Sequence, residues 1–460
     1  MKILILFFIF NFFLIQNSYS KDVSIDSKTL NKLNELNIKG SFSLNWKLVG
    51  PQEPGYEAQI QNQVFLSDAY LSINKKITNR FPFVLELNIP TATQGKVILY
   101  RFATNIIDGD YLKLRIGKFM IPFGRYNELY KGEDFLSSTR PLLYASPDSL
   151  DLVLRLNSPR PPFTAGYTDV GARVSLYPGT DYYWVPTEIS AYIVNGFSEV
   201  DNRSRSFPYT GNLNVAPVPI SGVNMDYGHV NNNLADNNNH KAPGGRIIFA
   251  LGDLKVPFPI SEGIELTGTR LGLSGMYGRY DLEEAIIGTE YKIWGVDTEF
   301  HYKNISFNIE YIYSNSEFRH TRVNSIGNVN FNQQTDDLLI KSEINKGYYI
   351  QIAFPIWKNS KKFKKILGFL SLESLERKGP RLVFSKNNDP ITRLPIVAFP
   401  LVDEALSTNY RKYTAGTNFQ ITDHLIFKAE YSYWDINVPE VFNSHQTDIN
   451  QTIVSWVFNF

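Results

Sequence analysis

The stretch that decides the fold is "TIVSWVFNF", residues 452–460. Its side chains alternate in a strict period of two. One parity carries Thr452, Val454, Trp456, Phe458 and Phe460, and the other carries Ile453, Ser455, Val457 and Asn459. This period is typical of a β-strand with two different faces. Terminal segments are usually polar and poorly ordered, so an aromatic final residue indicates that the end of the chain belongs to a sheet.

The same alternation recurs along the chain in segments of about ten residues. In residues 39–48, Phe42, Leu44 and Trp46 share one face, while Ser43 and Asn45 share the other. We predict sixteen strands, at residues 39–48, 63–73, 82–89, 96–106, 111–119, 169–177, 184–195, 245–253, 268–280, 291–303, 305–315, 344–355, 367–376, 409–421, 424–436 and 449–460.

Two architectures use such strands. A soluble sandwich buries the apolar face and has strands of about five or six residues. A membrane barrel turns the apolar face to lipid and needs strands of roughly 9–11 residues. The strand lengths here favour the second. The predicted fold class is therefore an all-β, transmembrane, antiparallel up-and-down β-barrel of about sixteen strands.

The connections sort by length in the way such a barrel requires. Short connections at 74–81, 107–110, 178–183, 304 and 422–423 fall on one side, predicted to be periplasmic. Long ones at 120–168, 196–244, 316–343 and 377–408 fall on the other, predicted to be the outer side. Two predicted turns, 254–267 and 356–366, are longer than is usual for the periplasmic side.

The first residues resemble a secretory signal. Lys2 precedes a run from Ile3 to Ile15 that is apolar apart from Asn11, and Ser18 and Ser20 supply small residues before a cleavage site. The apolar run is too short for a spanning helix. We expect a signal peptide at 1–20, a short periplasmic segment at 21–38 and a barrel at 39–460.

Composition excludes several classes of function. The chain has no cysteine and a formal net charge of +1. It therefore has no disulfide framework and no thiolate site, and its balanced charge argues against a nucleic-acid binder. We find no nucleophile elbow, phosphate-binding glycine loop or zinc-binding His pair. We predict no catalysis, no cofactor and no metal.

One ordered set of motifs carries a family resemblance. It comprises "LRIGKFMIPFGRYNELYKGEDFLSSTRPLLY" (114–144), "DVGARVSLYPG" (169–179), "ISAYIVNGFSE" (189–199), "NNNHKAPGGRI" (237–247) and "SGMYGRYD" (274–281). The set resembles bacterial outer-membrane porins of the phosphate-selective porin O and P type. The resemblance implies that residues 120–168 fold into the lumen and narrow it, and that the protein is a homotrimer. The alternative is a segment that caps the barrel from outside.

Charged residues near this segment are the candidate pore lining. The candidates are Arg101, Lys113, Arg115, Arg125, Arg140, Arg173, Asp297, Glu299 and His301. A group of guanidinium side chains on a lumen wall raises the local concentration of anions, whereas charges paired across the pore would leave a mixed polar wall. Both arrangements remain open. Phosphate-selective porins are expected to carry a denser row of arginines than this chain shows.

The sequence thus predicts a Gram-negative outer-membrane porin for passive diffusion of small hydrophilic solutes and ions, with at most a weak anion preference. Its predicted partners are outer-membrane lipid and lipopolysaccharide, the barrel assembly machinery through the C-terminal strand, and the solutes themselves. The alternative function is a surface-exposed barrel whose outer loops bind a host or matrix ligand.

Overall fold

In the computed structural model, the described residues are 37–49, 62–78, 81–90, 98–128, 134–144, 162–163, 166–178, 185–201, 222–226, 240–258, 261–279, 290–321, 338–358, 364–379, 406–437 and 447–460. The predicted signal peptide and residues 21–36 lie outside them.

Strands dominate this part of the chain. Their bounds are β1 Asn37–Val49, β2 Asn62–Thr78, β3 Phe81–Pro90, β4 Ile98–Asp108, β5 Leu112–Met120, β6 Thr168–Leu176, β7 Glu188–Val194, β8 Ser198–Asp201, β9 Gly222–Asp226, β10 Ala242–Phe258, β11 Ser261–Arg279, β12 Glu290–Tyr302, β13 Ile305–Thr321, β14 Leu338–Lys358, β15 Lys365–Gly379, β16 Leu406–Gln420, β17 Leu425–Asn437 and β18 Thr447–Asn459. One short helix, α1, spans Arg125–Glu128. No helix among the described residues is long and apolar enough to cross a membrane.

Sixteen of the described strands form one closed antiparallel barrel. Strands that follow one another in the chain pair side by side, β7 pairs with β10, and β1 pairs with both β2 and β18. β8 and β9, which fall in the predicted long connection 196–244, are not members of this ring; they pair with each other, and β9 also pairs with the end of β13. Every one of the sixteen predicted strands has its counterpart, so the predicted fold class is confirmed.

The last strand closes the barrel against the first. The nitrogen of Gly40 donates to the oxygen of Phe460, and the nitrogen of Phe460 donates to the oxygen of Gly40, both at 2.9 Å. Beside them the rings of Phe42 and Phe458 stack with centroids 4.7 Å apart. A Cβ at Gly40 would lie 2.1 Å from the Phe460 ring, so this close approach requires glycine. The terminal aromatic residues therefore fix the register of closure.

The two faces of the strands are inverted relative to a soluble protein. On β1 the apolar side chains of Leu44 and Trp46 are 41% and 44% exposed, whereas the polar Ser43 and Asn45 are 6% and 3% exposed. The same contrast holds for the exposed Trp456 on β18. An apolar exterior around a polar interior fits lipid outside and a lumen within.

The bounds of two predicted turns are wrong, because the flanking strands extend into them. The segment 254–267 is strand for most of its length, because β10 extends to Phe258 and β11 begins at Ser261. Likewise β14 extends to Lys358. In both cases a proline lies at a register shift of the ladder, between Val256 and Phe258 and between Pro355 and Trp357. A bulge accommodates a residue that cannot donate to the ladder.

Charge on the apolar face should be costly. We expect Leu44→Lys, near the middle of β1, to lower the free energy of unfolding by about 2–4 kcal/mol, because lipid cannot solvate an ammonium group. The control is Leu44→Met, which keeps the side chain apolar at the same position and should cost less than about 1.5 kcal/mol. Urea unfolding in lipid vesicles measures both. Equal costs in the two variants would contradict the assignment of this face to lipid.

Candidate functional site

The chain between β5 and β6, residues 121–167, begins with a sharp turn against the opposite wall; we call it the β5–β6 segment. Gly124 adopts a positive φ of 64°. A Cβ there would lie 1.9 Å from the Tyr144 hydroxyl and 2.0 Å from a Glu310 oxygen. Only glycine therefore lets the chain turn this tightly beside the buried carboxylate of β13.

Three carboxylates on alternate strands hold the described part of this segment through its backbone. Glu310 on β13 accepts hydrogen bonds from the nitrogens of Arg125 and Tyr126, at 3.1 and 3.4 Å. Glu373 on β15 accepts from the nitrogen of Leu142 at 2.7 Å. Glu430 on β17 accepts from the nitrogen of Ser138 at 2.6 Å. Hydrogen bonds to a charged acceptor are stronger than hydrogen bonds between neutral groups.

Two lysines on the same wall also contact the segment. Lys412 on β16 lies 3.2 Å from a Glu373 oxygen and donates to the Thr139 hydroxyl at 2.8 Å. Lys428 on β17 donates to the backbone oxygens of Phe135 and Ser137. We call Glu310, Glu373, Lys412, Lys428 and Glu430 the anchoring row. All five are nearly fully buried, so the wall from β13 to β17 meets the segment with buried charges of both signs, of which Lys412 and Glu373 form an ion pair.

Aromatic side chains fill the space between the segment and the wall. The rings of Phe123 and Phe163 stack at 4.2 Å, and those of Tyr167 and Phe197 stack at 4.8 Å. Tyr144 donates its hydroxyl to Glu310. Burial and the Glu310 charge raise the pKa of the Tyr144 phenol well above its ordinary value, so the phenol remains protonated and keeps donating. The space between the segment and the wall is therefore filled by packed side chains and not by solvent.

The predicted arginines of β4–β6 come together on another part of the wall. Arg115 lies directly opposite Arg173 across β5 and β6. Its Nε donates to the neutral Asn105 amide oxygen at 2.9 Å. Arg173 pairs with Glu188 of β7, and Arg101 pairs with Glu86 of β3. We call Arg101, Arg115 and Arg173 the arginine cluster.

The other predicted residues are dispersed. The Lys113 ammonium lies 5.1 Å above the Tyr177 ring, and the Arg140 guanidinium lies 3.5 Å from the Tyr70 hydroxyl of β2. On β12, Glu299 pairs with Arg125 at 3.2 Å. His301 on the same strand is half-buried and lies opposite Thr267 of β11.

Asp297 forms an ion pair that the sequence reasoning missed. Its carboxylate lies 2.9 Å from the Arg246 guanidinium of β10, and both side chains are essentially buried. The anchoring row was missed as well. Its glutamates and lysines all lie at inward parity, so parity combined with charge could have identified them, but their partners lie in a distant segment.

Comparison with known proteins finds structures of similar shape at low identity. No family model matches the chain, and no curated protein sequence matches it. The outer membrane channel DcaP of Acinetobacter baumannii is 10% identical with a TM-score of 0.49, covering 92% of this chain and 97% of its own. OmpF of Salmonella typhi is 8% identical with a TM-score of 0.47, covering 92% and 97%. An anion-selective porin from Comamonas acidovorans is 9% identical with a TM-score of 0.44, covering 92% and 99%.

Proposed function

We propose that the chain is an outer-membrane porin through which small hydrophilic solutes and ions diffuse passively. The observation that carries this proposal is the inverted barrel: an apolar exterior, a polar interior, and sixteen strands closed end to end. Barrels of sixteen to eighteen strands leave an aqueous channel. On this proposal the protein moves solutes by diffusion and catalyses no reaction.

The β5–β6 segment is proposed to set the size limit of the channel. Its described residues contact the wall of β13, β15, β16 and β17 through the anchoring row. The arginine cluster lies on β4–β6, away from these contacts. The remaining passage would then run between the docked segment and the arginine cluster, with Arg125 and Arg140 at its margins.

A weak anion preference is part of the proposal. The carboxylates of Glu86, Glu188 and Asp297 each face a guanidinium partner, whereas Arg115 contacts a neutral amide among the described residues. A guanidinium whose described hydrogen bond goes to a neutral amide leaves positive charge on a lumen wall, which raises the local anion concentration. Selectivity for phosphate would require a denser set of arginines than these three, so we propose a general small-solute porin.

The remaining parts of the proposal concern location and assembly. A signal peptide at 1–20 would export the chain, and the terminal strand β18 would engage the barrel assembly machinery. The mature barrel at 39–460, preceded by the periplasmic segment 21–38, would lie in outer-membrane lipid and lipopolysaccharide, as a homotrimer.

Conductance across a planar bilayer tests the channel itself. The purified chain should produce stepwise ohmic currents. A barrel that serves only as a platform for ligand-binding outer loops would produce none, and that result would overturn the proposal.

Reversal potential tests the arginine cluster. Replacing Arg115 and Arg173 together by Glu should move the reversal potential in a salt gradient toward the cation value, because a basic wall becomes acidic. Replacing Lys292 and Lys346 by Glu makes the same charge change on outward-facing positions, where both lysines pair with surface glutamates, and should leave the potential nearly unchanged. No shift in the arginine variant would place these side chains outside the ion path.

A further inference from the structure

A hollow lies between Arg101 and Arg115 of the arginine cluster. Its lining is Pro82, Val84, Arg101, Ala103, Asn105, Arg115 and Phe119. At its middle level the residues paired across β3 to β6 are all small or aliphatic, because Val84 lies opposite Ala103, Ala103 opposite Gly117, and Gly117 opposite Gly171. Without large side chains at this level, the wall is recessed.

Polar groups border the recess on both sides along the strands. Arg101 lies two residues from Ala103 on β4, and Asn105 lies two residues away in the other direction, opposite Arg115. Four residues of extended strand span about 13 Å. The hollow therefore has an apolar floor between two polar borders, which we call its rims. The floor is long enough to contact a hydrocarbon chain of a few carbon–carbon bonds.

The two rims are not equivalent. Arg101 is paired with the buried Glu86 carboxylate, which offsets its charge. The Nε of Arg115 donates to the amide oxygen of Asn105. A guanidinium carries four further N–H donors on its two terminal nitrogens. Arg115 is therefore the residue suited to receive a carboxylate, in the bidentate geometry that guanidinium groups favour.

We propose that this hollow binds short-chain monocarboxylates, with the carboxylate on Arg115 and the hydrocarbon chain against Val84, Ala103 and Phe119. The inference rests on the proposed porin function, and it names the solute class that the arginine cluster favours. Inorganic phosphate is a poorer fit, because an apolar floor offers no hydrogen bond to replace the water that a phosphate oxygen would lose there.

A chain-length series tests this directly on the purified full-length protein. Acetate, propionate and butyrate are added at constant chloride, and the concentration that halves the single-channel chloride current is measured for each. Each methylene buried in the hollow should lower that concentration about fourfold. Inorganic phosphate and the uncharged 1-butanol should both block more weakly than butyrate.

Two variants separate the hydrocarbon contact from the charge. Ala103→Leu fills the hollow and retains both arginines, so it should abolish the dependence on chain length while acetate still blocks. Arg115→Gln should weaken all three carboxylates by a similar factor. Ala353→Leu is the matched control, because Ala353 is a buried alanine on the inward parity of β14 and lies away from the hollow; it should leave the series unchanged.

The outcomes are distinguishable. A protein that conducts but is blocked equally by acetate and butyrate, or most strongly by phosphate, overturns the hollow and leaves the porin proposal standing. A protein that gives no current overturns the porin proposal, and direct binding of butyrate, measured by calorimetry on the detergent-folded protein, then decides the hollow by the same dependence on chain length.

Discussion

Removal of residues 452–460 is expected to abolish the folded barrel. These residues supply most of the contacts of β18 with β1 and with β17. Without them both neighbouring strands present unpaired backbone groups to hydrocarbon, where each unsatisfied group costs several kcal/mol. Total stabilities of folded domains are about 5–15 kcal/mol, so the loss exceeds what the remaining strands can offset.

The measurement is the heat-dependent shift in electrophoretic mobility that distinguishes folded from unfolded barrels, made after refolding into lipid vesicles. The truncated chain should show only the unfolded band. Deletion of nine residues within 380–405, which connect β15 and β16, removes the same length without shortening any described strand and should leave the folded band. A folded band in the truncated chain would show that the barrel closes without β18.

Loss of the anchoring glutamates should have the second large effect. Replacing Glu310, Glu373 and Glu430 together by Ala removes the acceptors for the backbone nitrogens of the β5–β6 segment. Each hydrogen bond to a charged group contributes about 1.5–3 kcal/mol. The loss also leaves Lys412 without its Glu373 carboxylate, and a buried charge without its counter-charge is costly.

We expect the segment to leave its docked position in this variant. On the proposed function, the single-channel conductance should then rise, and the open-channel current should become noisier. The segment should also become accessible to protease at Arg140 and its neighbours. The control is Glu376→Ala, also on β15, because Glu376 pairs with Lys346 on the outward parity and contacts none of the described segment. If the conductance and the protease cleavage of the triple variant match those of the unmodified protein, packing of the aromatic layer alone holds the segment.

Much of the barrel was predictable from the sequence because strand parity is a local property. Alternation in 39–48 and 449–460 identified both closing strands, and the same alternation assigned Leu44 and Trp46 to the exterior. The errors at 254–267 and 356–366 have one physical cause. Proline weakens the local signal for a strand, whereas a bulge restores the ladder through partners on a neighbouring strand.

The sequence by itself predicted the sixteen strands of the barrel, their order and the face that their alternating side chains occupy, because these follow from a period of two and from the absence of hydrogen-bonding partners in lipid. Only the tertiary structure decided which charges meet. Glu310 and Gly124 are far apart in the chain, as are Asp297 and Arg246, and their contacts depend on how the wall curves and where one long segment docks. A local sequence pattern carries no information about distances across a lumen. The anchoring row and the hollow beside Arg115 could therefore be identified only in the folded barrel.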